Sequence, residues 1–185
     1  MAHPRVLQRD ASVLLIIDVQ DGYRGHTIEH DRMVRAVRRL LDAATLMRVP
    51  VLATEQYPKG LGHTQPEVAE GFPADMRVIE KTSMSCCGQP AFVDRLRGLG
   101  RAQVVVCGIE AHACVNQTAH DLLDRGYAVH VPYDAISARS AHDLRVGWEK
   151  IIGSGAVPST VEMASLEWVR TADAPEFKAL HRLIK

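Results

Sequence analysis

Two strongly apolar segments, the first of them unbroken, constrain the fold of this chain more than any other feature. The first covers residues 13–17 and ends at Asp18, and the second covers residues 103–108. Apolar runs of this length without alternation are typical of strands in a parallel sheet that is covered on both faces. We therefore expect both runs to be buried strands of one parallel sheet.

Helical patterns alternate with shorter strand patterns along the rest of the chain. We expect six strands, at residues 13–17, 49–54, 78–80, 103–108, 128–131 and 156–159. A loop rich in Pro and Gly separates the second strand from the third. Amphipathic helices are expected at residues 31–47, 90–99, 114–125 and 141–152. Gly126 stands where a left-handed residue ends a helix, and the capping-box spacing from Ser159 to Glu162 predicts the start of another.

This order of elements predicts an α/β fold of three αβα layers. Its centre is a Rossmann-like parallel sheet of about six strands, with helices on both faces. The length of 185 residues fits a single domain, residues 1–185. Ligands of such sheets collect at the carboxyl ends of the strands. Asp18, Lys81 and Cys114 all stand at or just beyond predicted strand ends, so we expect them to share one edge of the sheet.

The charge balance argues against several classes of partner. Lys and Arg number 22, as do Asp and Glu, which gives a formal net charge of zero and no broad field for nucleic acid or anionic lipid. Arg35, Arg38 and Arg39 have helical spacing and are expected to cover a solvated face, with a nucleic-acid patch as the alternative. No apolar run approaches the roughly 20 residues of a membrane span, and residues 1–10 lack the apolar segment of a signal peptide. We expect no nucleic-acid or membrane partner and a cytoplasmic location.

The four cysteines are Cys86, Cys87, Cys107 and Cys114. Their spacing suits neither a disulfide framework nor a zinc site, so free thiols in a reducing compartment are expected. The adjacent pair is expected to pack, with a response to oxidation as the alternative. Self-repulsion is weak at zero net charge, which favours a homo-oligomer.

Cys114 is the candidate nucleophile. It opens a predicted helix, where the helix dipole and the free N–H groups favour the thiolate. The same N–H groups can hold the oxyanion of a tetrahedral intermediate. A small, buried, unreactive cysteine is the alternative, and position alone leaves both open.

Asp18 and Lys81 are candidates for the groups that activate it. An aspartate that ends a wholly apolar strand is costly to bury unless it is paired or has a chemical role. A ribose-binding carboxylate is the alternative for Asp18, but residues 20–25 lack the glycine pattern of a dinucleotide site. Lys81 taken alone is better explained as a surface lysine, but three ionisable groups expected at one edge of the sheet favour a shared role. A histidine base for Cys114, with His112 nearby in the sequence, is the rival arrangement.

Three segments at these positions resemble the isochorismatase-like hydrolase superfamily. They are LLIIDVQ at residues 14–20, EKTSMS at residues 80–85 and GIEAHACV at residues 108–115. The resemblance extends over about residues 11–170. Residues 54–62 and 81–88 are similar to the subgroup named isochorismatase domain-containing proteins, most of which have no assigned activity.

The resemblance implies a catalytic triad of Asp18, Lys81 and Cys114. It also implies a non-proline cis peptide at Ile109–Glu110, which aims the N–H groups of Glu110 and Cys114 into one oxyanion hole. In the implied mechanism Asp18 takes the thiol proton while Lys81 holds Asp18, and Cys114 forms a thioester that water clears. An assembly of at least two chains is implied as well.

Departures from relatives narrow the expected chemistry. Metal-dependent nicotinamidases of the superfamily carry Asp-x-His after the second strand, whereas this chain has Gln56, Tyr57 and Pro58, so we expect no metal and no other cofactor. Many relatives have Thr where this chain has Ala111, which removes one polar contact. True isochorismatases cleave a vinyl ether without a thiol, and Cys114 therefore argues against that reaction.

The expected function is a metal-free cysteine hydrolase that acts on a C–N bond, amide or carbamoyl-like, of a small molecule. The alternatives are an isochorismatase-type vinyl-ether hydrolase and a non-catalytic oligomeric binding protein that retains the site. Five side chains are expected to face the substrate, with ordinary loop packing as the alternative for each. They are Gln20, Tyr23, Gln56, Tyr57 and His112.

Overall fold

The two apolar runs are adjacent parallel strands in a computed structural model that describes residues 3–184. The sheet of this part of the chain has seven strands: β1 (Ser12–Ile17), β2 (Val51–Gln56), β3 (Ile79–Lys81), β4 (Gln103–Ile109), β5 (Ala128–Pro132), β6 (Ile136–Ser137) and β7 (Val157–Ser159). The order is β3-β2-β1-β4-β5-β7, β6 pairs with β4, and every pairing is parallel. The predicted parallel α/β sheet is confirmed.

Helices cover both faces of this sheet. They are α1 (His30–Leu46), α2 (Pro58–Leu61), α3 (Pro66–Ala69), α4 (Pro90–Gly98), α5 (Cys114–Asp124), α6 (Ala141–Gly153), α7 (Val161–Val169) and α8 (Phe177–Ile184). Leu14 and Ile16 of β1 pack into a core shared with α1, α7 and α8, whereas Val13 and Leu15 point to the opposite core, which contains α4, α5 and α6. Alternate residues of one strand therefore build two separate cores, and this makes three layers.

The helix ends follow the sequence signals closely. Gly126 has a φ of +84°, the left-handed conformation expected after α5. The N-cap of α7 is Thr160, whose side chain accepts a hydrogen bond from the Met163 N–H, and not Ser159, where the capping-box spacing begins. Among the described residues, no helix combines the length and apolar character that crossing a membrane requires.

Other differences from the sequence expectations have local causes. β2 starts at Val51 because the chain turns at Arg48, whose φ is +55°, and because Pro50 has no N–H to donate. The Pro- and Gly-rich loop contains α2 and α3, which are too short to show a helical period. β6 has two residues and shows no strand period either. That residues 1–185 form one domain stays a prediction, since residues 1, 2 and 185 lie outside the described part.

Gly108 lets β1 and β4 approach each other closely at their carboxyl ends. Its φ is +112°, which L side chains rarely adopt, and a Cβ at this position would lie 2.1 Å from the carbonyl oxygen of Ile17. Ile17 precedes Asp18, and Gly108 begins the turn toward Cys114. The absence of a side chain at Gly108 thus allows these two segments to lie this close together.

Replacing this glycine tests that constraint. Gly108→Ala should lower the free energy of unfolding by at least about 3 kcal/mol, because the new methyl group collides with backbone that cannot move independently. Gly98→Ala is the matched control: a Cβ there meets nothing within 4 Å, and alanine should stabilise α4. Urea denaturation measures both. Equal stability of the two variants would contradict the role given to Gly108.

Candidate active site

Asp18 is a fully buried carboxylate at the end of β1. Its backbone is left-handed, with a φ of +53°, and its N–H donates to the Thr54 carbonyl. Oδ1 accepts a hydrogen bond of 2.7 Å from the Thr54 hydroxyl, and Oδ2 accepts one of 2.7 Å from Lys81 Nζ. Both oxygens of a carboxylate removed from water therefore have donors, as a buried charge requires.

Lys81, the last residue of β3, supplies the opposite charge and is 2% exposed. Besides Asp18, its Nζ donates to Gln56 Oε1 at 2.8 Å and to the carbonyls of Ser83 and Met84, each at 3.2 Å. Burial lowers the pKa of Lys81, but the charges of Asp18, Cys86 and Cys114 and the hydrogen bond to Asp18 together outweigh it, so that the pKa is raised above its ordinary value. The side chain is an ammonium held by four oxygens.

Cys114 is the first residue of α5 and is 3% exposed. Burial raises the pKa of its thiol to about 12; the charge of Asp18 and hydrogen bonding to that carboxylate add to the increase, and Lys81 opposes it. The expectation that the helix terminus favours a thiolate stays a prediction, and burial and Asp18 oppose it in the resting protein. The group at rest is a neutral thiol beside a carboxylate that can accept its proton.

The loop before Cys114 contains the expected cis peptide, between Ile109 and Glu110. The Glu110 carbonyl accepts from the N–H groups of Ala113 and Val115. Within residues 3–184, neither the Glu110 N–H nor the Cys114 N–H donates to another protein group. Two backbone donors at the candidate nucleophile are thus free to bind a negative charge.

Gln20 and Gln56 lie behind the triad and use their amides internally. Gln20 is fully buried, donates to the carbonyls of Gln56 and Gly62, and accepts from the Gln56 N–H at 2.7 Å. Gln56 accepts from Lys81 and donates to the Thr82 carbonyl at 2.9 Å. The expectation that these side chains face the substrate is corrected: their hydrogen bonds fix the position of Lys81.

The other three expected substrate contacts differ in exposure. Tyr23 is buried near the nucleophile, and burial together with the charges of Cys114, Glu110 and Asp18 raises its pKa. His112 is half-buried, and its Nδ1 has no hydrogen-bond partner among the described residues. Tyr57 is 55% exposed, and its N–H donates to the Lys81 carbonyl. These side chains remain candidates for substrate contact.

Sequence reasoning missed three further residues at the site. Thr54, the hydroxyl donor to Asp18, begins the polar end of β2 and lies opposite Ile17 in the register with β1, which places it next to Asp18. Met84 places its Sδ 3.9 Å from Cys114 Sγ and is 45% exposed. Arg139 donates to both carboxylate oxygens of Glu110, at 2.8 and 3.3 Å. Met84 and Arg139 reach the site through contacts between residues far apart in the sequence, which no local pattern indicates.

Buried Cys86 is a second thiol close to the pair. Its Sγ lies 3.7 Å from the Thr54 hydroxyl, and its N–H donates to the Thr118 hydroxyl. Burial, followed by the charge of Asp18, raises its pKa to about 12. All four cysteines are free.

The residues do not fit a metal ion. His63 pairs through Nδ1 with Glu55 at 3.0 Å, and His30 is occupied by Thr27 and Gln65. Over residues 3–184, no three His, Cys, Asp or Glu side chains converge as metal ligation would require.

Comparison with known proteins places this geometry in context. The model of a family described as the isochorismatase domain matches residues 12–163. Isochorismatase domain-containing protein 2A of Mus musculus is 41% identical over 95% of this chain and 84% of its own length. The secreted isochorismatase effector Isc1 of Phytophthora sojae is 36% identical over 95% of this chain and 85% of its own. The solved structure of MAR1 ribonuclease from Caenorhabditis elegans has a TM-score of 0.93 and 38% identity, covering 97% of this chain and 92% of that one.

The electrostatic coupling of Cys114 predicts opposite effects of removing the two charges. Asp18→Asn should lower the pKa of Cys114, because the carboxylate raises it, and should speed alkylation by iodoacetamide at pH ~8 several-fold. Lys81→Met should raise the pKa and slow the same reaction. Mass spectrometry of the Cys114 peptide follows both rates.

Cys107 is the internal control for this titration. Burial and Asp134 raise its pKa, with no contribution from Asp18 or Lys81, so any change in its alkylation reports opening of the fold and is subtracted from the change at Cys114. Equal effects of the two substitutions on Cys114 would contradict the proposed coupling.

The buried pair also makes a prediction about stability. Lys81→Met leaves the Asp18 carboxylate without its counter-charge and should destabilise the fold by about 3–5 kcal/mol. Combining it with Asp18→Asn removes the orphaned charge and should recover part of that loss. Lys59→Met, at an exposed lysine, is the control and should have little effect. A double variant less stable than Lys81→Met in urea denaturation would refute the pairing argument.

Proposed function

The chain belongs to the isochorismatase domain family of hydrolases, and we propose that it is a metal-free cysteine hydrolase that cleaves a C–N bond, amide or carbamoyl-like, in a small molecule. One observation carries the proposal: a thiol at a helix N-terminus lies beside a fully buried Asp–Lys pair. A pair of charges at the carboxyl ends of parallel strands is expensive to bury, and a chemical role explains why it stands next to a nucleophile.

The first step is proton transfer and attack. Asp18 accepts the thiol proton of Cys114 as the sulfur approaches the substrate carbonyl carbon, so the thiolate forms only when it is used. Lys81 stays an ammonium, holds the carboxylate in place and offsets the negative charge that appears on sulfur. The new bond joins Sγ to the carbonyl carbon, and the carbonyl electron pair moves onto oxygen.

The second step is collapse of the tetrahedral intermediate. The N–H groups of Glu110 and Cys114 hold the oxyanion, as donors without other partners can do. When the carbonyl re-forms, the C–N bond breaks and Asp18 returns its proton to the leaving nitrogen. Cys114 is left as a thioester. Water then attacks the thioester while Asp18 takes a proton from it, the C–S bond breaks, and Asp18 returns that proton to Sγ, so that the products are the carboxylic acid and the free thiol.

A vinyl-ether hydrolase and a non-catalytic binding protein are distinguished by the role of Cys114. Ether cleavage needs no thiol, and a binding protein needs no base. The high pKa of the resting thiol agrees with a cysteine that requires Asp18 for activation.

A second candidate function comes from the comparisons. The relative from Caenorhabditis elegans carries the name ribonuclease at 38% identity. The corresponding reaction here would be hydrolysis of a phosphodiester. Hydrolysis of a phosphodiester forms no thioester, so replacing Cys114 with alanine separates this function from hydrolysis of a C–N bond.

Turnover of a panel of amides, carbamoyl compounds and a short RNA tests the proposal. Cys114→Ala should reduce hydrolysis of the C–N substrate by at least about 10³-fold, the scale set by loss of a nucleophile. Cys87→Ala is the matched control, since that thiol lies outside the triad, and it should retain activity. Cleavage of RNA alone, or C–N hydrolysis that survives Cys114→Ala, would rule out the cysteine mechanism.

The surroundings of the enzyme are proposed on the same basis. Free thiols at all four cysteines suit a reducing, cytoplasmic compartment, although the relative from Phytophthora sojae is named as secreted. A homo-oligomer of two or more chains with a small-molecule substrate agrees with the zero net charge.

A further inference from the structure

A cavity separate from the triad lies between α1, the segment before it and the region around α3. Its volume is about 710 Å³, within the range of small-molecule sites. Arginines dominate its lining: Arg24, Arg32, Arg35, Arg38 and Arg39. None of the triad residues borders it, and the proposed reaction leaves it without a role.

Three of these arginines have carboxylate partners. Arg24 contacts Asp21 at 3.0 Å and Glu67 at 2.6 Å, and Arg38 contacts Asp42 at 2.9 Å. Arg32 pairs with Glu29. Their positive charges are therefore locally balanced.

Arg35 and Arg39 lack such partners. Within the described residues neither forms an ion pair or a side-chain hydrogen bond, and Arg39 Nε is buried without an acceptor. They stand four residues apart on α1, where like charges repel each other. Asp31 also lines the cavity but forms no ion pair with Arg35. Because the protein encloses that nitrogen, the donors left for a ligand are the other N–H groups of Arg39 and those of Arg35, and two guanidinium groups without counter-ions on one cavity wall favour an anion from outside the chain.

We propose that this cavity binds a small phosphate-bearing anion between Arg35 and Arg39. A guanidinium presents planar paired donors that match phosphate oxygens, and an anion between two of them relieves their mutual repulsion.

A small ligand fits better than a nucleic-acid strand. Two carboxylates, Asp31 and Glu67, share the wall of the cavity and would repel a continuous phosphate backbone. The zero net charge of the chain provides no wider positive track for such a backbone. A compact ligand that carries one or two phosphate groups satisfies the two free guanidinium groups and avoids the carboxylates.

Isothermal titration of the whole protein with inorganic pyrophosphate tests this site, with sodium chloride at matched ionic strength as the reference. We expect saturable binding to one site per chain. Arg35→Gln/Arg39→Gln should weaken it by about tenfold or more, since each charge-assisted hydrogen bond contributes on that scale. Arg95→Gln/Arg145→Gln, at two exposed helical arginines elsewhere, is the matched control and should bind like the wild type. Cys114→Ala should also bind unchanged.

Three results would overturn the proposal. One is no binding of pyrophosphate beyond the effect of salt, and another is equal loss in the control double variant. The third is tighter binding of a short single-stranded RNA than of pyrophosphate at the same salt concentration, abolished by Arg35→Gln/Arg39→Gln, which would identify the cavity as part of a nucleic-acid surface. Thermal unfolding without ligand confirms that both double variants are folded.

Discussion

The buried ion pair between Asp18 and Lys81 is the interaction on which the site depends. The two residues end strands that are not neighbours, because β2 lies between β1 and β3. Thr54 and Gln56 of β2 complete the pair, the first by donating to the carboxylate and the second by accepting from the ammonium. Desolvating two charges is offset only when hydrogen bonds of this kind satisfy both groups. The pair thus requires a hydrogen-bond donor at Thr54 and an acceptor at Gln56, on the strand between its two members.

The same pair sets the protonation state of Cys114. Burial and the nearby carboxylate raise the pKa of the thiol to about 12, and Lys81 counteracts this only in part. A nucleophile kept neutral at rest is protected from adventitious oxidation and alkylation, since the thiolate is the reactive form. In the proposed mechanism the cost of this protection is that Asp18 must remove the proton in every turnover.

The sequence indicates the parts of the site that strand ends define, and fails where side chains meet through long-range folding. The apolar run of β1 identifies Asp18, because a carboxylate at the end of a buried strand is costly unless it is paired or has a chemical role. Gln20 was expected to face the substrate, but proximity in sequence to Asp18 does not reveal that its amide binds main chain inside the protein. Arg139 reaches Glu110 because β6 pairs with β4. β6 has only two residues, too few to show a strand pattern in the sequence. Likewise, the spacing of Arg35 and Arg39 predicts that they share one face of α1, but it does not predict that Arg24, Gln65 and Glu67 form a cavity with that face.

The most direct test of the mechanism is intact-protein mass spectrometry after rapid acid quench during turnover of a C–N substrate. The proposed mechanism predicts an adduct with the mass of the acyl group, located on the Cys114 peptide, labile to hydroxylamine and absent from Cys114→Ala. Turnover without any adduct at Cys114, under conditions where a thioester made with an activated ester is detected, would show that the bond is broken without covalent catalysis and would contradict the mechanism.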